Sequence, residues 1–88
     1  MKVSISPRAE KQLKNLPKID QLSVARKVRQ IKDCEKVIKE ERLQGFNHIY
    51  RVRIGDLRIV YQRKQKEIYI ILIGQRKDIY QLVKRLFS

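Results

Sequence analysis

The chain has one cysteine, one histidine, no tryptophan, two prolines and three glycines, and only 9 acidic residues stand against 22 basic ones. Each shortage excludes something. A lone Cys34 allows no intrachain disulfide and fits a reducing compartment. As a catalytic thiol it lacks support, since His48 is the only histidine and nothing places it alongside; a small apolar residue near a helix end is the plainer role. One His, one Cys and dispersed acids form no ligand cluster of recognisable spacing, so no metal or other cofactor is expected. The longest apolar run, around residues 68–74, is far shorter than the roughly 20 residues that span a bilayer. Residues 1–6 already alternate like a strand with no apolar segment behind them, so no signal peptide is expected. The expectation is a cytoplasmic protein with no membrane partner.

Eighty-eight residues form one domain, 1–88, with room for a modest core of one sheet and two or three helices. Hydrophobic residues at 42% beside charged residues at 35% describe a folded globular chain. The net charge of +13 is not carried on a tail: residues 1–42 hold 12 basic and 6 acidic side chains, and residues 43–88 hold 10 and 3. A fold that is cationic throughout favours a polyanionic partner, whether nucleic acid, an acidic protein, or both.

Local patterning supplies the elements. Residues 2–6 read as a short strand, and Ser6-Pro7 is a helix start in which the hydroxyl caps orphan amides and proline sits where its missing donor is harmless. Ala9, Leu13 and Leu16 follow at helical spacing until Pro17 stops the run. A second helix spans about residues 18–34 with an apolar stripe of Leu22, Ala25, Val28 and Ile31, and the two helices form a hairpin that covers one sheet face. Residues 36–44 are highly charged and lack periodicity; Gly45 permits a turn into the sheet.

The informative part begins at residue 49. Basic and apolar residues alternate over residues 49–54, which puts Arg51 and Arg53 on one face and Tyr50, Val52 and Ile54 on the other. Gly55-Asp56 supplies a tight turn, although glycine before aspartate is the weaker order. Residues 57–63 form a second strand containing Arg58, residues 64–66 a polar turn, and residues 67–73 an apolar strand at the sheet centre, closed by Gly74. Asp78 reads as the N-cap of a terminal helix over residues 79–87 with Ile79, Leu82, Val83 and Leu86 as its stripe. The fold class expected is therefore α+β: a small antiparallel sheet, made of the N-terminal strand plus a three-stranded meander, packed against an N-terminal helical hairpin, with a short C-terminal helix.

A regular meander brings Arg51, Arg53, Arg58, Arg76 at the end of the last strand, and Tyr80 at the helix start onto one surface. Guanidiniums beside a helix N-terminus make an anion site, because each presents planar bidentate donors to phosphate. Their mutual repulsion costs stability until an anion arrives. Tyr80 is the one member able to move a proton, and surrounding positive charge favours its phenolate. Tyr50, Tyr61 and Tyr69 read as core or sheet-face residues.

The order of elements, with LQG at residues 43–45, YRVRIGDLRIVY at residues 50–61 and IGQRKDIY at residues 73–80, resembles the RelE/ParE superfamily of bacterial and archaeal toxins, most closely its RelE ribonuclease branch. The resemblance spans essentially the whole chain. It implies a metal-independent endoribonuclease that cuts mRNA in the ribosomal A site through attack of the 2′-hydroxyl on the adjacent phosphate, giving a 2′,3′-cyclic phosphate and a free 5′-hydroxyl. On that resemblance Arg58 and Arg76 stabilise transition-state charge, Arg51 and Arg53 hold the RNA backbone, and Tyr80 orients the nucleotide or acts as general base. The implied partners are the ribosome, mRNA and a cognate acidic, RelB-like antitoxin that masks the basic face. Two departures stand out. Some relatives carry lysine at the positions of Arg51 and Arg53, which excludes a lysine base here, and many carry histidine where Gln75 stands, which removes that general acid. The competing readings are a ParE-type toxin that inhibits DNA gyrase without cutting RNA, and a non-catalytic basic RNA binder.

Overall fold

The computed structural model describes residues 2–33, 40–43 and 48–87; the side chains of residues 76, 78, 80, 83, 86 and 87 lie outside that description. The elements run β1 (Lys2–Ile5), α1 (Pro7–Lys14), α2 (Lys18–Lys32), β2 (Glu40–Arg42), β3 (Ile49–Ile54), β4 (Leu57–Lys64), β5 (Glu67–Gln75) and α3 (Arg76–Phe87). The five strands form one sheet in the order β1-β5-β4-β3-β2. The central strand is β4, with β5 and β3 on either side, so the apolar strand expected at the sheet centre lies one place from it.

Local chemistry explains the N-terminal part. Ser6 caps α1 as expected: its Oγ accepts from the Ala9 amide at 3.0 Å and donates to the Ile71 carbonyl at 2.7 Å. One hydroxyl thereby starts the helix and ties it to β5. Ala9, Leu13 and Leu16 face the core, although Leu16 lies beyond the helix end. The stripe expected on α2 is corrected. Leu22 and Ala25 are exposed, and the buried side carries Val24, Val28 and Ile31. Both series have helical spacing and share two members, so only contact with the sheet selects between them. The expected helix end at Cys34 and the turn at Gly45 lie outside the described residues.

Two features of the sheet differ from expectation. β1 pairs with β5 in parallel, so the sheet is mixed, and β2 adds a fifth strand at the far edge, antiparallel to β3. β2 carries no strand signal in the sequence, since EER has neither alternation nor β-branched residues. The β3–β4 hairpin turns at Gly55-Asp56, with Ile54 opposite Leu57. Gly55 has φ +56°, whereas Asp56 has no positive φ, the type II′ pattern that puts glycine first. The residue order therefore suits the turn actually used.

The sheet is covered on both sides. Val52, Leu57, Ile59, Tyr61, Ile68, Ile70 and Ile73 meet Ala9, Val24 and Ile31 of the hairpin, while Ile49, Val60 and Leu72 on the opposite face meet Ile79 of α3. A bulge in β5 against Val60 and Tyr61 makes both faces accessible to the same strand: Tyr61 pairs with Ile70 and Val60 with Leu72, leaving Ile71 over. That extra residue flips the phase, so Ile68 and Ile70 share their face with Ile73. β5 also continues through Gly74 to Gln75, and α3 begins at Arg76 rather than after an Asp78 cap. Among the described residues, no helix is long and apolar enough to cross a membrane.

Candidate active site

Arg51, Arg53 and Arg58 lie on the α3 face of the sheet. Their positions follow from register: Arg53 is opposite Arg58, and Arg58 is opposite Gly74 on β5. Gly74 matters to this arrangement because a Cβ there would meet Ile79 Cδ1 at 3.3 Å. Its missing side chain lets α3 seat directly beside Arg58.

The three guanidiniums are held differently. Arg58 is only 9% exposed, and its Nη1 donates to the carbonyls of Leu57 at 3.1 Å and Gly55 at 3.4 Å. Arg53 is exposed and donates from Nε to the same Gly55 carbonyl at 3.1 Å. One turn carbonyl thus restrains two arginines. Between them lies an open cavity of about 250 Å³ lined by Arg53, Asp56, Arg58, Gln75 and Lys77. Three cations around a space of that size suit a phosphate group.

Arg51 lies further along β3, opposite Glu41 of β2, which accepts from Nε at 3.1 Å and Nη2 at 2.6 Å through one carboxylate oxygen. Sequence alone implies an arginine cluster that repels itself until an anion arrives. A counterion is instead built in at Arg51. The hydrogen bond from Arg51, and then its charge, hold the Glu41 carboxyl below the usual carboxylate range; burial opposes this, and the charge of Arg58 adds to the lowering. Whatever stability this exposed pair adds is present at neutral pH and disappears as pH falls through that lowered value. A phosphate approaching Arg51 competes with Glu41 for its guanidinium. Glu41→Gln is therefore expected to tighten binding of a short RNA by about two- to fivefold, the scale of one exposed ion pair, in a fluorescence-anisotropy titration at low salt.

The neighbouring Glu40 points to the other face. Tyr61, fully buried, donates its hydroxyl to Glu40 Oε2, and Arg63 Nη2 donates to the same oxygen at 2.9 Å. The Arg63 guanidinium lies 5.5 Å from the Tyr50 ring centroid and 6.0 Å from that of Tyr61, and the two rings stack at 5.9 Å. Successive glutamates thus fasten β2 to β3 and β4 on opposite faces. Tyr50 and Tyr61 are core aromatics as expected, while Tyr69 is partly exposed.

Arg76 is the first residue of α3 instead of the last of a strand, and Tyr80 lies one turn further along the same helix. Their side chains are outside the described residues, so the backbone alone places them after Gln75, which pairs with Leu57 next to Arg58. Lys77 and Glu41 are the residues that sequence reasoning passed over. Neither carries a local signal: nothing in the sequence around Lys77 sets it apart, and Glu41 belongs to a charged stretch without periodicity. Among the described residues, no three His, Cys, Asp or Glu side chains gather closely enough to hold a metal ion.

The site sits on a five-stranded mixed sheet that carries a helical hairpin on one face and a C-terminal helix on the other, an α+β fold with an arginine-lined cavity. The archaeal RelE of a RelE–RelB complex from Pyrococcus horikoshii is 29% identical, with 85% of this chain and 93% of that one covered and a TM-score of 0.63. The isolated Escherichia coli RelE toxin is 20% identical with 98% of each chain covered and a TM-score of 0.74, and a RelB–RelE complex from Methanococcus jannaschii is 21% identical, covering 89% of this chain and 95% of that one, with a TM-score of 0.67. Comparison with curated protein sequences gives no match. The model of the ParE toxin of type II toxin–antitoxin systems, parDE, matches residues 3–80. The chain belongs to that toxin family, within the RelE/ParE superfamily.

Proposed function

We propose that this toxin is a ribosome-dependent endoribonuclease that cleaves mRNA in the A site without a metal. The observation that carries the reading is the cavity between Arg53 and Arg58, with both guanidiniums restrained by the Gly55 carbonyl and α3 seated alongside. A pentacoordinate phosphorus carries its charge on non-bridging oxygens, and arginines already fixed in place stabilise that charge without reorganising. Arg58 and Arg76 act on the transition state, Arg51 and Arg53 hold the flanking backbone, and Tyr80 on α3 orients the nucleotide and takes the 2′-hydroxyl proton. The ribosome supplies the extended mRNA geometry that a shallow, open site does not impose by itself.

The partner that controls it is an acidic antitoxin, a reading supported by the RelB-bound structures to which the chain is similar. A net charge of +13 suits such a partner. A second reading, gyrase inhibition without RNA cleavage, is favoured by the match to the ParE model. Primer extension on an mRNA under translation separates the two. Wild-type protein is expected to produce cuts in frame with the A site, and Tyr80→Ala to lose them while still binding ribosomes. Intact mRNA with a folded, ribosome-bound wild-type protein would remove the ribonuclease reading and turn attention to gyrase.

A further inference from the structure

The following rests on the ribonuclease reading. Cleavage by a 2′-oxygen requires two proton movements: the 2′-hydroxyl gives up a proton, and the departing 5′-oxygen must receive one. The sequence carries glutamine at position 75, beside Arg76, and an amide supplies no acid there. The cavity restricts the choice. Among its described lining residues, Arg53 and Arg58 carry guanidiniums, which are too weakly acidic to serve as proton donors. Gln75 ends in an amide, which is not an acid, and Asp56 in a carboxylate, which accepts rather than donates. Lys77 remains. A lysine ammonium is a proton donor and a far stronger acid than the alcohol formed when the phosphorus–oxygen bond breaks.

Its placement agrees with that task. Lys77 is the second residue of α3, in the turn that enters directly from Gln75 at the end of β5. β5 brings that turn to Arg58 by pairing Gly74 with Arg58 and Gln75 with Leu57, and Ile79 against Gly74 fixes the helix there. We infer that Lys77 is the general acid of this site. As the 2′-oxygen, deprotonated by the general base, forms its bond to phosphorus, the bond from phosphorus to the 5′-oxygen breaks. The electron pair of that bond goes to the 5′-oxygen, which takes a proton from the Lys77 ammonium. The products are the 2′,3′-cyclic phosphate and the 5′-hydroxyl. Lys77 leaves the step as a neutral amine, is reprotonated from solvent, and no co-reactant is consumed.

The test uses ribosomes programmed with a short mRNA carrying either the normal 5′-oxygen or a bridging 5′-sulfur at the A-site cleavage position. A thiolate leaves without protonation, so a missing general acid no longer matters on the sulfur substrate. On the oxygen substrate, Lys77→Ala and Lys77→Arg are both expected to slow single-turnover cleavage about 100-fold, within the usual range for loss of a general acid. On the sulfur substrate both are expected to cleave within about threefold of wild type, the rescue being the loss of that same acid contribution. Three results would overturn the assignment: unchanged cleavage of the oxygen substrate by Lys77→Ala, full activity in Lys77→Arg, which would show that charge alone suffices, or an equal defect on both substrates, which would make Lys77 a binding residue. Lys77 is exposed, so both variants fold, as circular dichroism will register. Wild-type protein that cuts neither substrate would instead overturn the ribonuclease reading, and this inference with it.

Discussion

Arg58→Ala is expected to reduce A-site cleavage by about 100- to 1,000-fold, the loss that follows removal of one positioned charge-stabilising donor. The size of the effect comes from how Arg58 is held. It sits on β4, the middle strand of five, is 9% exposed, and has one guanidinium nitrogen occupied by the Leu57 and Gly55 carbonyls. The rest of the guanidinium faces the cavity, so its ordering is completed at folding and is not paid again at the transition state. Arg58→Lys keeps the charge but loses the planar fork, and is expected to recover only part of the rate. Single-turnover cleavage on programmed ribosomes, with a thermal melt beside each variant, measures both effects. A folded Arg58→Ala protein cutting at the wild-type rate would move the chemistry away from this cavity.

The largest stability effect is expected at Glu40. Its Oε2 accepts from both Tyr61 and Arg63, and Arg63 Nε is already buried with no hydrogen-bond partner among the described residues. Glu40→Ala strands a buried phenol and a half-buried guanidinium together. Breaking a fully buried pair costs about 3–5 kcal/mol, and since the side chain of Arg63 is 30% exposed and reaches water, a loss of about 2–3 kcal/mol is expected. For a domain of this size that lowers Tm by roughly 10–20 °C. Glu41→Ala is the matched control: its side chain is 70% exposed, and Tm is expected to change little. Differential scanning calorimetry on the two variants decides the matter, and equal melting temperatures would refute the role assigned to Glu40. Adjacent glutamates of one edge strand would thus differ in kind, Glu40 fastening the fold and Glu41 tuning the site.

How much of this was legible in the sequence depends on the range of each signal. The Ser6-Pro7 start, the turn at Gly55-Asp56 and the alternation of Arg51 and Arg53 with Tyr50, Val52 and Ile54 are carried by neighbouring residues, and all appear as read. Helix faces were less secure. Leu22 and Val24 differ by about 200° around an α-helix, yet either gives an acceptable stripe with Val28 and Ile31. Leu22 is exposed and Val24 buried because the sheet beneath α2 chooses one side.

The residues alone determined an α+β domain with a hairpin, a meander and arginines on one strand face, because periodicity, capping and turn chemistry act over a few positions. Tertiary structure decided what depends on partners far apart in the chain. The parallel docking of β1 on β5, the recruitment of Glu40–Arg42 as a fifth strand and the pairing of Glu41 with Arg51 all join segments eight or more residues apart. So does the meeting of Lys77 with Arg53 and Arg58 around one cavity. A charged residue carries the same local signature whether it is solvated, paired or catalytic, and only the field of the neighbours that folding brings to it separates the three.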